Sequence, residues 1–357
     1  MFKRLAGTCA LLALGLVFGA DQAAAQIQVR VGDSTVRIGG RLHAQYATTS
    51  VEDYQPSHNF FIRRARLNVD IAANDWIDAR LQTEYVLGVV DLLDAYVRLK
   101  FNPWFQVSTG QFKRAFDLFE LESSTQLAVI ERGGRIPGLE DECAGVGRAC
   151  SYSRLSEALY YSNRDMGVRV AGGGDRFSYM ATVTNGETLS QSGDNNGAKS
   201  WAVRATYNLL GDLTLGGGVS AHDYYVEEVG DEYGMAWGAD LEWGGYTDGL
   251  HLQWAIMGGD NWRNLDDEDD PSTFLTSQAL VSWFFPTTGK VVGLEPVFRV
   301  SYGDADTDAD EAGGWLYTPG VSLYFGGRNR FSVNWDFYAP DSGDSQNSLK
   351  AQMYFYF

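Results

Sequence analysis

The sequence predicts an all-β fold: a 16-stranded antiparallel transmembrane β-barrel with one long connection after its fifth strand. Three observations carry the barrel. Hydrophobicity alternates with period two along nearly the whole chain, short and long connections follow one another, and aromatic residues gather at the ends of the expected strands. The composition agrees, with 41 glycines, 19 tyrosines, 19 phenylalanines and 10 tryptophans against 8 prolines and 6 methionines.

The opening MFKRLAGTCALLALGLVFGADQAAA places Lys3 and Arg4 before an apolar run and a small-residue site. Residues 1–25 read as a secretory signal peptide, leaving 26–357 as one barrel domain. Strands are expected at 35–48, 59–72, 76–87, 91–101, 104–113, 157–172, 176–185 and 200–209. Eight more follow at 213–225, 234–244, 250–261, 273–285, 294–303, 314–326, 330–339 and 346–357. In the first, Val36, Ile38, Leu42 and Tyr46 oppose Arg37, Arg41, His43 and Gln45; in the second, Leu67, Val69 and Ile71 oppose Arg66, Asn68 and Asp70. The third sets Ile77, Ala79 and Leu81 against Asp78, Arg80 and Gln82, and the eighth sets Trp201 and Val203 against Arg204. The last, LKAQMYFYF, is apolar at Leu349, Ala351, Met353, Phe355 and Phe357.

A soluble sandwich shows the same alternation with its apolar face inward. The loop rhythm and the aromatic girdles (Trp76, Trp104, Trp283 to Phe285, Trp315, Tyr317) favour the barrel. One link, near 88–90, is short where a long one is due.

Charge is unevenly placed. Residues 26–204 hold 20 Lys/Arg against 21 Asp/Glu, and residues 205–357 hold 6 against 24. The net charge of −18 excludes a basic nucleic-acid face. The four histidines, His43, His58, His222 and His251, are scattered, and neither GxSxG nor HExxH occurs. No catalytic site, metal or cofactor is expected. The acidic runs LDDEDDP (265–271) and GDADTDADE (303–311) lack the glycine and terminal glutamate of an EF-hand in register; they read as solvated loops, with loose divalent bridging to surface lipid as the alternative. Cys143 and Cys150 share one loop of an exported chain, which points to a disulfide; a metal site would want nearby histidines.

With apolar positions facing lipid, Arg37, Arg41, Arg64, Arg66, Arg80, Arg98, Lys100, Arg169 and Arg204 face the lumen. A charge facing hydrocarbon at mid-plane costs about 2–4 kcal/mol. These cations either steer anions or pair with Asp70, Asp78, Glu84 and Asp94 to stiffen the wall. The link 114–156 carries Glu131, Glu140, Asp141 and Glu142 against Arg132, Arg135, Arg148 and Arg154. Folded into the pore, its carboxylates oppose the wall arginines across a constriction; lying outside, they face water.

Three stretches resemble one family. NFFIRRARLNVD (59–70), VSTGQFKRAFDLFELESS (107–124) and the pair NRDMGVRVAG (163–172) and VTNGETLSQSGDNNGAKSWAVRATYN (183–208) are similar to the phosphate-selective porin O/P family. The terminal Phe357 likewise resembles the assembly signal of Gram-negative outer-membrane proteins. The resemblance implies a homotrimeric channel in that membrane, in contact with lipid and lipopolysaccharide, whose third loop folds inward. Ala115 and Asp117 replace the family's usual Pro and Gly, and residues 26–357 hold five lysines where phosphate-selective members are lysine-lined. Phosphate specificity is therefore not carried over. The expected function is passive diffusion of small hydrophilic solutes with a mild preference for anions, so that replacing Arg64, Arg66 and Arg98 together moves selectivity toward cations. The alternative is a non-channel outer-membrane or exported β protein, either a barrel enzyme or an adhesive module.

Overall fold

The computed structural model describes residues 27–86, 88–140, 142–186, 196–227, 229–266 and 269–357. The proposed signal peptide and Asp141 lie outside the described residues. A short β1 (Ile27–Val31) precedes β2 (Ser34–Thr48), β3 (His58–Ala72), β4 (Ile77–Val86), β5 (Val89–Asn102) and β6 (Phe105–Lys113). Two short helices follow, α1 (Leu118–Leu121) and α2 (Tyr152–Ala158). Then come β7 (Arg164–Gly173), β8 (Phe177–Thr184), β9 (Ser200–Leu210), β10 (Leu213–Val226), β11 (Gly230–Trp243), β12 (Leu250–Leu265) and β13 (Pro271–Trp283). The chain ends with the two-residue β14 (Phe285–Pro286), β15 (Gly293–Asp304), β16 (Gly313–Gly326), β17 (Asn329–Pro340) and β18 (Gln346–Tyr356).

Every neighbouring pair is antiparallel, and β14 continues the line of β13 against β15, so the wall has sixteen staves. The ring closes where β18 pairs with β2, from Lys350↔Ala47 to Tyr356↔Arg41. Phe357 and Gly40 then exchange backbone hydrogen bonds at 2.9 and 3.2 Å. Glycine is needed at position 40, because a Cβ there would strike the Phe357 ring. β1 pairs with the start of β2, on the flank that β18 occupies further along.

The last strand shows how the alternation is used. Leu349, Met353 and Phe355 are 45%, 47% and 53% exposed, whereas Lys350, Gln352 and Tyr354 are 1%, 0% and 3% exposed. The polar face is buried and the apolar face is bare, the reverse of a soluble sheet. Only a wall whose outside meets lipid satisfies both faces. Among the described residues no helix is long and apolar enough to cross a membrane.

The expected strand at 157–172 begins only at Arg164. Upstream, buried Tyr152, Leu155 and Leu159 recur at helical rather than strand spacing, and α2 forms there. The β4–β5 connection is as short as its sequence suggests, with β4 ending at Val86 and β5 starting at Val89.

Candidate functional site

The segment 114–163 between β6 and β7 is the longest connection, and it touches the buried face of the wall. Its Phe116, Phe119, Tyr152, Leu155, Leu159 and Tyr161 share an apolar cluster with Met257, Phe274, Leu280, Leu316 and Tyr338 of β12, β13, β16 and β17. Burying each large apolar side chain contributes about 1.5–3 kcal/mol. Gly134, at φ +64, lies so close to the Leu316 side chain that a Cβ would collide with it. Cys143 and Cys150 are joined as a disulfide, with Cα atoms 5.0 Å apart.

Three arginines with no more than 1% exposure fasten this segment. Arg114 donates to the Tyr160 carbonyl (2.8 Å) and to the Ala221 carbonyl of β10 (2.5 Å), tying the two ends of the segment to the wall. Arg299 of β15 donates to the carbonyls of Glu131 (2.7 Å) and Arg132. Arg330 of β17 donates to the carbonyls of Thr125 (3.1 Å) and Leu127 (2.7 Å). It also stacks over the Tyr354 ring at 4.0 Å and donates to the Tyr246 hydroxyl at 2.6 Å. Between them, the Ile130 N–H donates to Asn334 Oδ1 at 2.6 Å. Residues 125–132 are thus laid along β15–β17 by their own backbone.

What this leaves open is a cavity of about 1070 Å³ on the β2–β8 side, bounded by Leu121 to Thr125 of the segment and by the turn at Arg328. Its lining holds eight cations (Arg41, Arg66, Arg80, Lys113, Arg132, Arg164, Arg169, Arg328) and one carboxylate, Asp94. Arg66 is paired with Glu84 (2.6 Å), Arg80 with Asp70 (2.8 Å), Arg164 with Asp94 (2.7 Å) and Arg132 with Glu120 (3.6 Å). Arg41, Lys113, Arg169 and Arg328 have no carboxylate partner among the described residues. Arg41 and Arg66 both donate to Ser124 Oγ, at 2.7 and 3.2 Å, and Arg328 donates to Thr125 Oγ1 at 2.6 Å. Lys113 reaches the carbonyls of Glu120 and Glu122. Arg169 lies over the rings of Tyr96 and Phe112, at 4.9 and 4.7 Å.

Of the cations singled out from sequence, Arg41, Arg66, Arg80, Arg169 and the loop's Arg132 border the cavity. The others sit elsewhere. Arg98 and Lys100 both pair with Asp78, at 2.7 and 3.2 Å, and Arg204 pairs with Asp240 at 2.5 Å. Arg64 is buried 3.9 Å from Glu131, whose closer partner is Arg63 at 2.6 Å, and Arg37 is exposed. In the segment, Arg135, Glu140 and Glu142 are exposed. Sequence reading passed over Lys113, Arg164 and Arg328 at the cavity, and Arg114, Arg299 and Arg330 beneath the segment. A signal for two of them was present. Arg330, Ser332 and Asn334 alternate with Phe331 and Val333 as plainly as the first strands do, and Arg299 alternates with Phe298 and Val300.

The carboxylates of the segment behave differently from one another. Burial raises the Glu131 carboxyl, but Arg63 and Arg64 more than offset it and bring it down to about 2. Burial pushes Glu122 up to about 7, against the pull of Arg132, His251 and Lys113 and with help from Glu242. A raised carboxyl is neutral below its own value and charged above it. Going from about pH 6 to about pH 8 therefore adds a negative charge beside the cavity and should weaken any anion preference. The check is the reversal potential across this range in planar bilayers. Glu122→Gln should remove the pH dependence, and an unchanged dependence would assign it to another group.

A closed sixteen-stave wall, apolar outside, polar within, and carrying a charged cavity beside a long connection, defines an outer-membrane diffusion channel, a porin. The profile of the family described as phosphate-selective porin O and P matches residues 36–235, more than half of the chain, and the protein belongs to that family. It is accordingly a channel of the Gram-negative outer membrane rather than an enzyme. Solved structures share the fold. The anion-selective porin from Comamonas acidovorans superposes with a TM-score of 0.63 at 14% identity, over 91% of this chain and all of that one (100%). The outer membrane channel DcaP of Acinetobacter baumannii gives 0.63 at 11% identity, over 90% and 97%. The trimer form of OmpT, an outer membrane protein of Vibrio cholerae, gives 0.58 at 17% identity, over 91% and 99%. No curated protein matches the chain.

Proposed function

We propose that this porin passes small hydrophilic solutes passively, with a mild preference for anions, and that it works as a homotrimer. In this reading the 114–163 segment folds into the lumen and narrows it, so that solutes cross the cavity between that segment and the β2–β8 wall. The observation that carries the anion preference is the lining, eight cations to one carboxylate, with four cations lacking a carboxylate partner among the described residues. The acidic loops at the opposite rim argue for cations, and distance decides between the two. At ~0.15 M salt the screening length is about 8 Å, so loop carboxylates are muted for an ion among the arginines. Lowering the salt lengthens their reach and should shift preference toward cations.

Replacing Arg41, Arg169 and Arg328 together by alanine should move the reversal potential in a salt gradient toward cation selectivity. Arg98→Ala, which removes a cation already held by Asp78 away from the cavity, should leave it where it was. If the triple variant keeps the wild-type ion preference, these residues do not set it.

A further inference from the structure

β11 and β12 part near the long-loop rim. Their ladder runs from Trp243↔Leu252 to Ala236↔Gly259 and stops, although β11 reaches back to Gly230 and β12 continues to Leu265. The gap is closed from inside. Tyr161 stacks on Phe274 with ring centroids 6.0 Å apart, and its hydroxyl donates to the Asp260 carbonyl at 2.6 Å. Outside, the parting leaves a hollow of about 660 Å³ lined by Val219, Met235, Trp237, Gly258 and Leu275. Gly258 stands between Trp237 and Leu275 in the ladder, so it shares the outward face on which these two side chains are exposed.

Polarity changes at the upper end of the hollow. Two residues beyond Gly258, on the same face, comes Asp260, paired with Thr273, whose hydroxyl meets that of Thr307. The Met235 N–H donates to one oxygen of the Asp260 carboxylate at 2.8 Å. The other oxygen accepts no hydrogen bond among the described residues. Height follows from the ladder. Trp283 marks the aromatic girdle at the short-turn rim, and Thr273 lies ten residues along β13 from it. At ~3.3 Å per residue and a tilt of about 45°, Thr273 and Asp260 stand ~23 Å above that girdle, near the top of an apolar band ~25 Å tall. The long loops of such barrels face the cell exterior. The hollow therefore lies in the outer leaflet, with Asp260 where acyl chains join their headgroups.

We propose that this hollow seats an acyl chain of outer-leaflet lipopolysaccharide, with Asp260 accepting a hydrogen bond from the amide N–H or hydroxyl that such chains carry beside the sugar. A carboxylate oxygen at this depth has little water and needs a donor. Amide-linked, hydroxylated chains supply one. Ester-linked phospholipid chains bring only acceptors there, beneath a phosphate that Asp260 repels. Trp237, Leu275, Met235 and Val219 meet the chain below. The acidic connections nearby, with Asp270, Asp306 and Asp308, attract an anionic lipid only through divalent cations, so a chelator separates the two modes of binding.

The test uses the full-length protein in mild detergent containing EDTA, incubated with equal amounts of purified rough-type lipopolysaccharide and phosphatidylethanolamine, then washed. Native mass spectrometry counts the lipid retained by each protomer, and heat-modifiable gel mobility reports the folded barrel. Wild type should keep one lipopolysaccharide molecule. Asp260→Asn retains an acceptor for the Met235 amide but loses the charge, and Leu275→Trp fills the hollow. Each should hold the lipid ~10-fold or more weakly, about the effect of losing one charged hydrogen bond. Phe298→Leu, on the outward face of β15, should match wild type. Wild-type retention in either folded variant overturns the site. Retention that occurs only without EDTA assigns the lipid to cations on the acidic loops and also overturns it. Preferential capture of phosphatidylethanolamine overturns the choice of lipid.

Discussion

Replacing Asp336 by leucine should lower the unfolding free energy by about 3–5 kcal/mol, the usual consequence of removing one member of a buried ion pair. Asp336 is 1% exposed and serves two buried cations, accepting from Arg299 at 3.1 Å and from Lys350 at 2.5 Å. The Thr318 hydroxyl donates to it as well, at 2.5 Å. Without the carboxylate, Arg299 and Lys350 are left charged and unpaired, and neither has room to reach water. The comparison is Asp70→Asn, which breaks the Arg80–Asp70 pair. Its side chains are 36% and 34% exposed, so the expected loss is at most about 1 kcal/mol. Denaturant unfolding in detergent micelles, followed by tryptophan fluorescence, gives both values. Equal losses for the two variants would show that burial does not govern the cost here.

Arg330→Met should leave the barrel assembled yet change conduction more than any substitution at the cavity itself. The change removes the donors to the Thr125 and Leu127 carbonyls, each such charged hydrogen bond being worth about 1.5–3 kcal/mol. Met keeps most of the apolar stem against Tyr354, so local packing survives. Residues 125–127 then lose their grip from Arg330, with the Ile130–Asn334 bond remaining further along, and Ser124 and Thr125 lose their placement against Arg41 and Arg328. Single-channel recording should show a larger, noisier conductance with weaker ion preference. Arg330→Lys retains an ammonium donor in place of the guanidinium fork and should be intermediate. Quiet channels of wild-type conductance in Arg330→Met would mean that the segment holds its place without this arginine.

The barrel was legible because its determinants are local. Alternation in Leu349 to Phe357 puts lysine and glutamine on one face and leucine, methionine and phenylalanine on the other whatever the rest of the chain does. Turn residues punctuate the strands in the same way, and the strand count follows. The helical turn at Tyr152–Ala158 escaped because its apolar spacing is brief and lies between two strand-like stretches. The basic character of the β2–β8 wall could also be read, since parity alone assigns Arg41, Arg66, Arg80 and Arg169 to the polar face.

What only the tertiary structure decided is which of those cations remain without a carboxylate. Arg98 is neutralised by Asp78 from the adjacent strand, and Arg204 by Asp240 from two strands away, while Arg41 meets the hydroxyl of Ser124 and no carboxylate among the described residues. These outcomes depend on the register of the ladder and on where a fifty-residue connection comes to rest. That resting place is set by Arg114, Arg299 and Arg330 gripping backbone carbonyls, and a carbonyl is the same in every residue. Composition and periodicity carry no trace of such a contact, because the acceptor has no side chain by which the sequence could announce it.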